Sequence, residues 1–377
     1  MQTKRFGLCA ALSAAALLLL AGCAGSGSTA APTLTVESSY PLQYAKQFTV
    51  DECTGGYELI TIADSQYLVV PQGAAVPEDL PQGTTVLQQP IENIYLVSTS
   101  AMDPIISLGA LDSIALSGTK ADGWYLPEAK AAMQAGQIAY AGKYSAPDYE
   151  TILASGSGLA IENTMIYHTP EVKEQLEKFG IPVLVERSSY ETDPLARMEW
   201  VKLYGILLGK KQEAEQLFDT QVQRVAPLEN QQPTGKSVAF FSITSNNLVT
   251  VRKGSDYVAR MIEMAGGSYV FDDLTDSGNN LATINLSLED FYAGAKDADV
   301  LLYNSTIEGS IASTEQLVEK CPLLAQFKAV QNGNVWCTAQ SLFQQSMELP
   351  DLILDMNRVF TEGTPADSEL TFLTHVE

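Results

Sequence analysis

One stretch constrains the fold more than any other. Asp193 to Val225, DPLARMEWVKLYGILLGKKQEAEQLFDTQVQRV, carries no strand signal in a sequence that otherwise alternates strand and helix. Ala214, Leu217, Phe218, Val222 and Val225 recur at helical spacing, and Asp193-Pro194 is a good helix start. Unbroken at Gly205 and Gly209, about 33 residues of helix would reach ~50 Å. The segment 193–228 is therefore read as one helix, ending at Pro227 and the polar run ENQQPTG.

Before this segment NIYLVST, DSIALSG, QIAYAG, GLAIEN and IPVLVE read as strands, separated by helical MDPIISLG, LPEAKAAMQAG, PDYETILASG and PEVKEQLEKFG. After it SVAFFSI opens a second alternating set that closes on a helix near ELPDLILDMNRVF. Strand followed by helix at this pitch gives right-handed βαβ units and mostly parallel sheets. The predicted fold is α/β: two Rossmann-like lobes, residues 46–192 and 236–362, joined by a long α-helix, with a ligand cleft between them. FTVDECTGGYELITIADSQYLVVPQG adds a hairpin or lobe-edge element, and residues 363–377 read as a C-terminal tail.

The first 22 residues are a different kind of element. Lys4 and Arg5 precede an apolar run from Phe6 to Leu20, too short for a comfortable membrane span and shaped like a secretory signal. Leu20-Ala21-Gly22-Cys23 resembles the lipobox of bacterial lipoproteins, whose cysteine is acylated and becomes the first mature residue. Residues 1–22 are then a signal peptide and 23–45 a lipidated tether, its small-residue part running from Ala24 to about Leu34. The expected location is extracytoplasmic, on the outer face of a bacterial cytoplasmic membrane or in the periplasm, held by lipid alone.

Cleavage after Gly22 removes two of 22 basic residues and no acid, so the mature charge is 20 − 45 = −25. That balance opposes nucleic acid and anionic membrane surfaces. Beyond Cys23 only Cys53, Cys321 and Cys337 remain; the last two bracket a helix and its return strand, leaving a bridge or two buried thiols open. His168 and His375 are the only histidines, too few for a naked transition-metal site, so any metal is expected to arrive already chelated and no resident cofactor is expected.

Catalytic motifs fail on inspection. PTGKS at 233–237 precedes a strand where a phosphate loop must follow one. SGSGLA around Ser157 breaks the nucleophile-elbow pattern, and a Ser-His-Asp triad would depend on His168 alone. Nothing in the sequence asks for an enzyme.

Several blocks instead carry a family resemblance. YSAPDYETILASGSGLAIEN, LEKFGIPVLVE, LYGILLGKKQEAEQL, GSDYVARMIEMAGG, INLSLEDFYAGAKDADVLLYN and FKAVQNGNVW occur in the order found in the substrate-binding proteins of bacterial ABC importers for ferric siderophores, haem and vitamin B12. The chain resembles that family from about Gln47 to Phe360, although Gly156 to Gly158 replace a proline-aspartate pair usual there. The resemblance implies a cleft ligand delivered to an ABC permease dimer with its cytoplasmic ATPase. It also implies that Glu150 and Glu289, each near a helix start, meet the permease; as first-turn acids they equally serve helix stability.

Loops at the carboxyl ends of strands should line the cleft. In the first lobe these hold Ser98, Thr99, Ser100 and Met102; Lys120, Trp124 and Tyr125; Lys143 and Tyr144; Met165 and Tyr167; and Arg187, Ser189 and Tyr190. The second lobe adds Asn246, Arg252, Lys253, Tyr257, Tyr303, Asn304 and Phe343. Aromatic rings with a few cations suit a large, flat or anionic chelate. A ferric siderophore is the leading expectation; haem, with Tyr167 or Met165 as axial ligand, and a corrinoid are the alternatives. A membrane-tethered enzyme or a non-transport receptor remains a further alternative.

Overall fold

The computed structural model describes residues 33–275 and 281–377, so the signal segment and Cys23 lie outside the described residues. Among the described residues no helix is long and apolar enough to cross a membrane.

Strands β1 (Val36–Ser39), β2 (Phe48–Cys53), β3 (Tyr57–Ile62), β4 (Ser65–Val70) and β5 (Thr85–Gln88) form a sheet in that order, where the sequence suggested only a hairpin. The first three joints are antiparallel and the last is parallel. Alternation in β2, with Phe48 and Val50 buried and Thr49 exposed, turns one face of this sheet to the main core. Its other face packs Tyr57, Leu59, Leu68 and Val70 under Ala74 and Leu80 of the following loop.

The first lobe continues with β6 (Ile94–Leu96), β7 (Ile114–Ser117), β8 (Ala139–Tyr140), a short hairpin of β9 (Gly142–Lys143) and β10 (Ala146–Pro147), β11 (Ala160–Glu162) and β12 (Val183–Val185). Helices α1 (Met102–Ser107), α2 (Pro127–Gln134), α3 (Tyr149–Ala154) and α4 (Pro170–Lys178) link them. The parallel order β12-β11-β6-β7-β8 reverses direction at β6, a topological switch point that opens a crevice at the strand ends.

The segment expected as one helix is two, α5 (Pro194–Leu207) and α6 (Lys211–Val225), packed on each other. Gly209 at φ +68° stops α5 in the left-handed region, and Lys210 N–H closes the turn on Gly205 O at 2.7 Å. Gly205 lets α6 fold back tightly: a Cβ there would stand 2.4 Å from the Ala214 Cβ. Every residue of α5 is buried, as befits a helix apolar on most of its circumference. The charges it does carry are paired: Lys202 Nζ donates to Glu199 Oε1 at 2.7 Å.

Glu199 has a second task that corrects the expected tether. Its carboxylate accepts the backbone N–H groups of Gln43, Tyr44 and Ala45 at 2.8, 2.7 and 2.8 Å. Glu191 accepts those of Lys46 and Gln47 at 3.0 and 2.9 Å, and the Trp200 indole N–H at 3.2 Å. Residues 36–45 are therefore an ordered strand and strap, not free tether, because two buried carboxylates satisfy five backbone donors.

The second lobe holds β13 (Ser237–Ile243), β14 (Val249–Arg252), β15 (Ser268–Tyr269), β16 (Thr283–Leu286), β17 (Val300–Tyr303), β18 (Val335–Thr338) and β19 (Leu373–His375), with α7 (Tyr257–Met264), α8 (Leu288–Ala295), α9 (Thr314–Lys320), α10 (Lys328–Gln331) and α11 (Leu349–Glu362). Its order is β16-β14-β13-β17-β18-β19, with β15 also on β13; β14 and β19 run against the other strands, so β14 pairs antiparallel with both β13 and β16. The expected C-terminal tail is in fact an edge strand, because buried Phe372, Leu373 and Val376 fasten it to β18. Cys321 and Cys337 are buried free thiols, as is Cys53.

One continuous apolar core runs from the first sheet through α5 and α6 into the second lobe. A second cluster lies under α3 and α4 on the outer face of the first lobe's parallel sheet. Glu162, at the end of β11, is fully buried and neither of its carboxylate oxygens has a hydrogen-bond partner. Burial pushes this carboxyl up to about 8.

Candidate functional site

The carboxyl ends of the parallel strands in both lobes face a crevice between them. On the first-lobe side Glu186, directly after β12, organises the loops. It accepts the hydroxyls of Ser98 and Ser100 at 2.9 Å each and the Ser188 N–H at 2.8 Å, tying the loop after β6 to the loop after β12. Beyond them the Arg187 guanidinium lies over the Tyr190 ring at 4.5 Å, and its Nε reaches Gln47 Oε1 at 3.4 Å. Lys120 stands over the Tyr140 ring at 5.6 Å.

On the second-lobe side Arg252, at the end of β14, covers the Phe343 ring at 4.6 Å and has the Asp256 carboxylate at 3.7 Å. A pocket of about 330 Å³ joins the lobes, lined by Thr164, Ser189 and Tyr190 from the first and Lys253, Leu281 and Ala282 from the second. The two lobes also meet directly. Gln344 Oε1 accepts the Tyr125 N–H at 2.8 Å, and its Nε2 donates to Gly123 O at 2.9 Å.

Not every residue expected in the cleft reaches it. Trp124 is buried, its indole N–H donating to Ser117 Oγ at 3.2 Å, so the ring packs in the core while neighbouring Tyr125 is exposed. Met102 and Tyr303 are fully buried core residues; burial first, then Cys337 and Glu308, push the Tyr303 hydroxyl up to about 12. Tyr257 is buried beneath the Arg197 guanidinium at 4.1 Å. Tyr303 ends β17 and the other three follow strands, but the first turn of a following helix or an apolar neighbourhood draws them inward. Asn304 is buried and turns its carbonyl to its own loop, accepting the Thr306 N–H at 3.2 Å. Tyr144 packs at the edge of the outer cluster.

Met165, Tyr167, Ser189 and Asn246 are exposed beyond strand ends, Lys143 is exposed on β9 of the short hairpin, and Thr99 opens the turn that leads into α1. Glu150 and Glu289 are exposed second residues of α3 and α8. Their helices are capped by Asp148, accepting from Thr151 N–H, and Ser287, accepting from Asp290 N–H. Glu186, Tyr140 and Gln344 escaped the sequence reading. An acid directly following the apolar VLV strand was a usable signal for Glu186, whereas nothing local marks Gln344. Among the described residues no cluster of three or more His, Cys, Asp or Glu side chains could hold a metal ion.

The family described as "Periplasmic binding protein" matches residues 96–341, spanning both lobes and the crevice between them. The chain belongs to this family. An uncharacterized lipoprotein of Methanocaldococcus jannaschii is 27% identical over 241 residues, 62% of this chain and 55% of its own length. The chain thus spans about half of that relative.

Solved structures share the architecture at low identity. A periplasmic binding protein from Veillonella parvula superposes with TM-score 0.60 at 16% identity, covering 88% of this chain and 99% of its own. The "ABC-type Fe3+-hydroxamate transport system" of Saccharomonospora viridis gives 0.55 at 22% identity, covering 72% and 94%. These likenesses establish the two-lobed fold of this periplasmic binding protein.

Proposed function

We propose that this periplasmic binding protein is the extracytoplasmic capture component of an ABC importer, taking an anionic metal chelate of the ferric siderophore type into its cleft. The observation that carries the reading is the set of cation–aromatic pairs on both lobes: Arg187 with Tyr190, Lys120 with Tyr140, and Arg252 with Phe343. In a chain of net charge −23, guanidinium and ammonium groups stacked on rings at strand ends suit a flat or aromatic anion through stacking and charge-assisted hydrogen bonds. The chelated metal is cargo, and no bond of the ligand need be broken for capture. Glu150 and Glu289, one on each lobe, are the acids proposed to seat the loaded protein on a permease dimer powered by a cytoplasmic ATPase. Cys23 is the proposed lipid anchor.

A second reading, a haem ligand, draws on the exposed Met165 and Tyr167 in the turn after β11, either of which can serve as an axial ligand. All three tryptophans are buried, so ligand absorbance with equilibrium dialysis is the better assay than protein fluorescence. Ferric hydroxamates, ferric catecholates, haem and a cobalamin are each titrated into the mature chain. Saturable binding of a ferric siderophore at about micromolar or tighter, weakened about tenfold or more by Arg187→Ala or Arg252→Ala, is expected. Haem binding lost in Tyr167→Phe selects the second reading. A folded protein that binds none of the four classes refutes both.

A further inference from the structure

Residues 341–348, between β18 and α11, reach across to the first lobe. Besides the two Gln344 bonds, Ser346 Oγ donates to Ser100 O at 3.2 Å and Met347 N–H donates to Asp103 Oδ2 at 2.7 Å. The loop ends at Glu348, the residue before α11, whose carboxyl meets that of Asp103 in a side-chain hydrogen bond. Asp103 is 4% exposed, and Glu348 Oε2 is buried without a partner of its own.

Asp103 is buried and Glu348 half-buried with its Oε2 enclosed; two such carboxyls in hydrogen-bond contact need a proton between them, since an acceptor cannot bond to an acceptor and like charges repel in a desolvated site. The surroundings increase that need. Glu128 of α2 adds negative charge to both groups, and Asp351 of α11 adds it to Glu348. Arg224 of α6, whose field reaches Glu348, is engaged in an ion pair with Asp351. Burial first, then the Glu348 charge, holds Asp103 above the usual carboxylate range; burial does the same for Glu348.

We propose that loop 341–348 is a proton-dependent clasp: it fixes the lobes against each other while Asp103 and Glu348 share a proton, and loosens when that proton leaves. The sign follows from the direction of the shifts. The protonated pair belongs to the clasped form, so the clasp is complete at acid pH and weakens as the pH rises to alkaline values. It depends on neither the identity of the cleft ligand nor the importer reading.

The test is backbone hydrogen exchange of the mature chain, without ligand, between about pH 6 and pH 10, with rates corrected for intrinsic hydroxide dependence. Peptides covering 341–348 and 121–126 in the wild type should lose protection by about tenfold or more across this range, while the core strand β17 keeps its own. The Asp103→Asn, Glu348→Gln pair preserves a donor and an acceptor without ionisation, and its protection should stay level. Wild-type protection that persists to the alkaline limit overturns the clasp, as does an equal loss in wild type and variant. Should the variant not fold, small-angle scattering of the wild type decides: a radius of gyration that grows with pH supports the clasp, and a constant one overturns it.

Discussion

Replacing Glu162 by Gln should make the protein more stable in alkali than the wild type. The carboxyl is 0% exposed, lacks any partner, and is pushed by burial from 4.5 to about 8. The folded chain therefore keeps a proton that the unfolded chain has already released. This group's contribution is most favourable below pH 4.5, declines as the pH rises through the interval to about 8, and is level beyond it. At about 1.4 kcal/mol per pH unit, the separation of about 3.5 units corresponds to at most about 5 kcal/mol, most of it developed between about pH 5 and pH 9. Glutamine keeps the shape and cannot ionise, so the variant lacks this slope. Thermal unfolding of both proteins at the two pH values isolates the group, because the other buried acids titrate alike and cancel in the difference. With an unfolding entropy of about 2.1 cal/mol/K per residue, the melting difference should move by about 5 °C in favour of the variant at high pH. Melting curves that stay parallel across the range would refute the assignment of a proton to Glu162.

Three further outcomes are expected. Reversing Glu150 and Glu289 together to Lys should abolish uptake in cells while ligand affinity of the isolated protein stays within about twofold, since both acids are exposed at helix starts and belong to none of the cation–aromatic pairs; retained uptake would defeat the docking role. Gly209→Ala, placed at φ +68° where the new methyl would meet only Gln89 Nε2, at an ordinary contact distance of 3.9 Å, should cost about 1 kcal/mol in denaturant unfolding through backbone strain. Asp299 is held down to about 2: burial opposes ionisation, but the Lys328 hydrogen bond and the Ser237 N–H and hydroxyl outweigh it. Its contribution is present above pH 3.8 and lost as the pH falls through about 2, so Asp299→Asn should cost about 2 kcal/mol at neutral pH and little at the acid limit.

The βαβ rhythm was legible because its signals are local. The IPVLVE and SVAFFSI runs, the Asp148 and Ser287 caps and the Pro170 helix start each announce an element without reference to the rest of the chain. Strand ends pointed to Arg187, which lies over Tyr190, to Arg252, which lies over Phe343, and to Tyr190 and Lys253, which line one interlobe pocket. What escaped depends on tertiary partners. Trp124 faces inward because Ser117 offers an acceptor there, and the strap from Gln43 to Gln47 holds because Glu199 and Glu191 wait about 145 to 155 residues later. The break at Gly209 was visible as a glycine, but only the close approach of Ala214 to Gly205 makes it a sharp turn instead of a tolerated helix residue.

The strap also decides where mechanical load goes. A protein leashed by its amino terminus and buffeted by flow or thermal motion is pulled at one point. With the proposed anchor at Cys23, that pull would pass through β1, paired to β2, to residues 43–47, whose amides are gripped by Glu191 and by Glu199 of α5, a helix of the joint between the lobes. Tension on such a leash would be delivered to α5, between the lobes, and not to the cleft loops of either one.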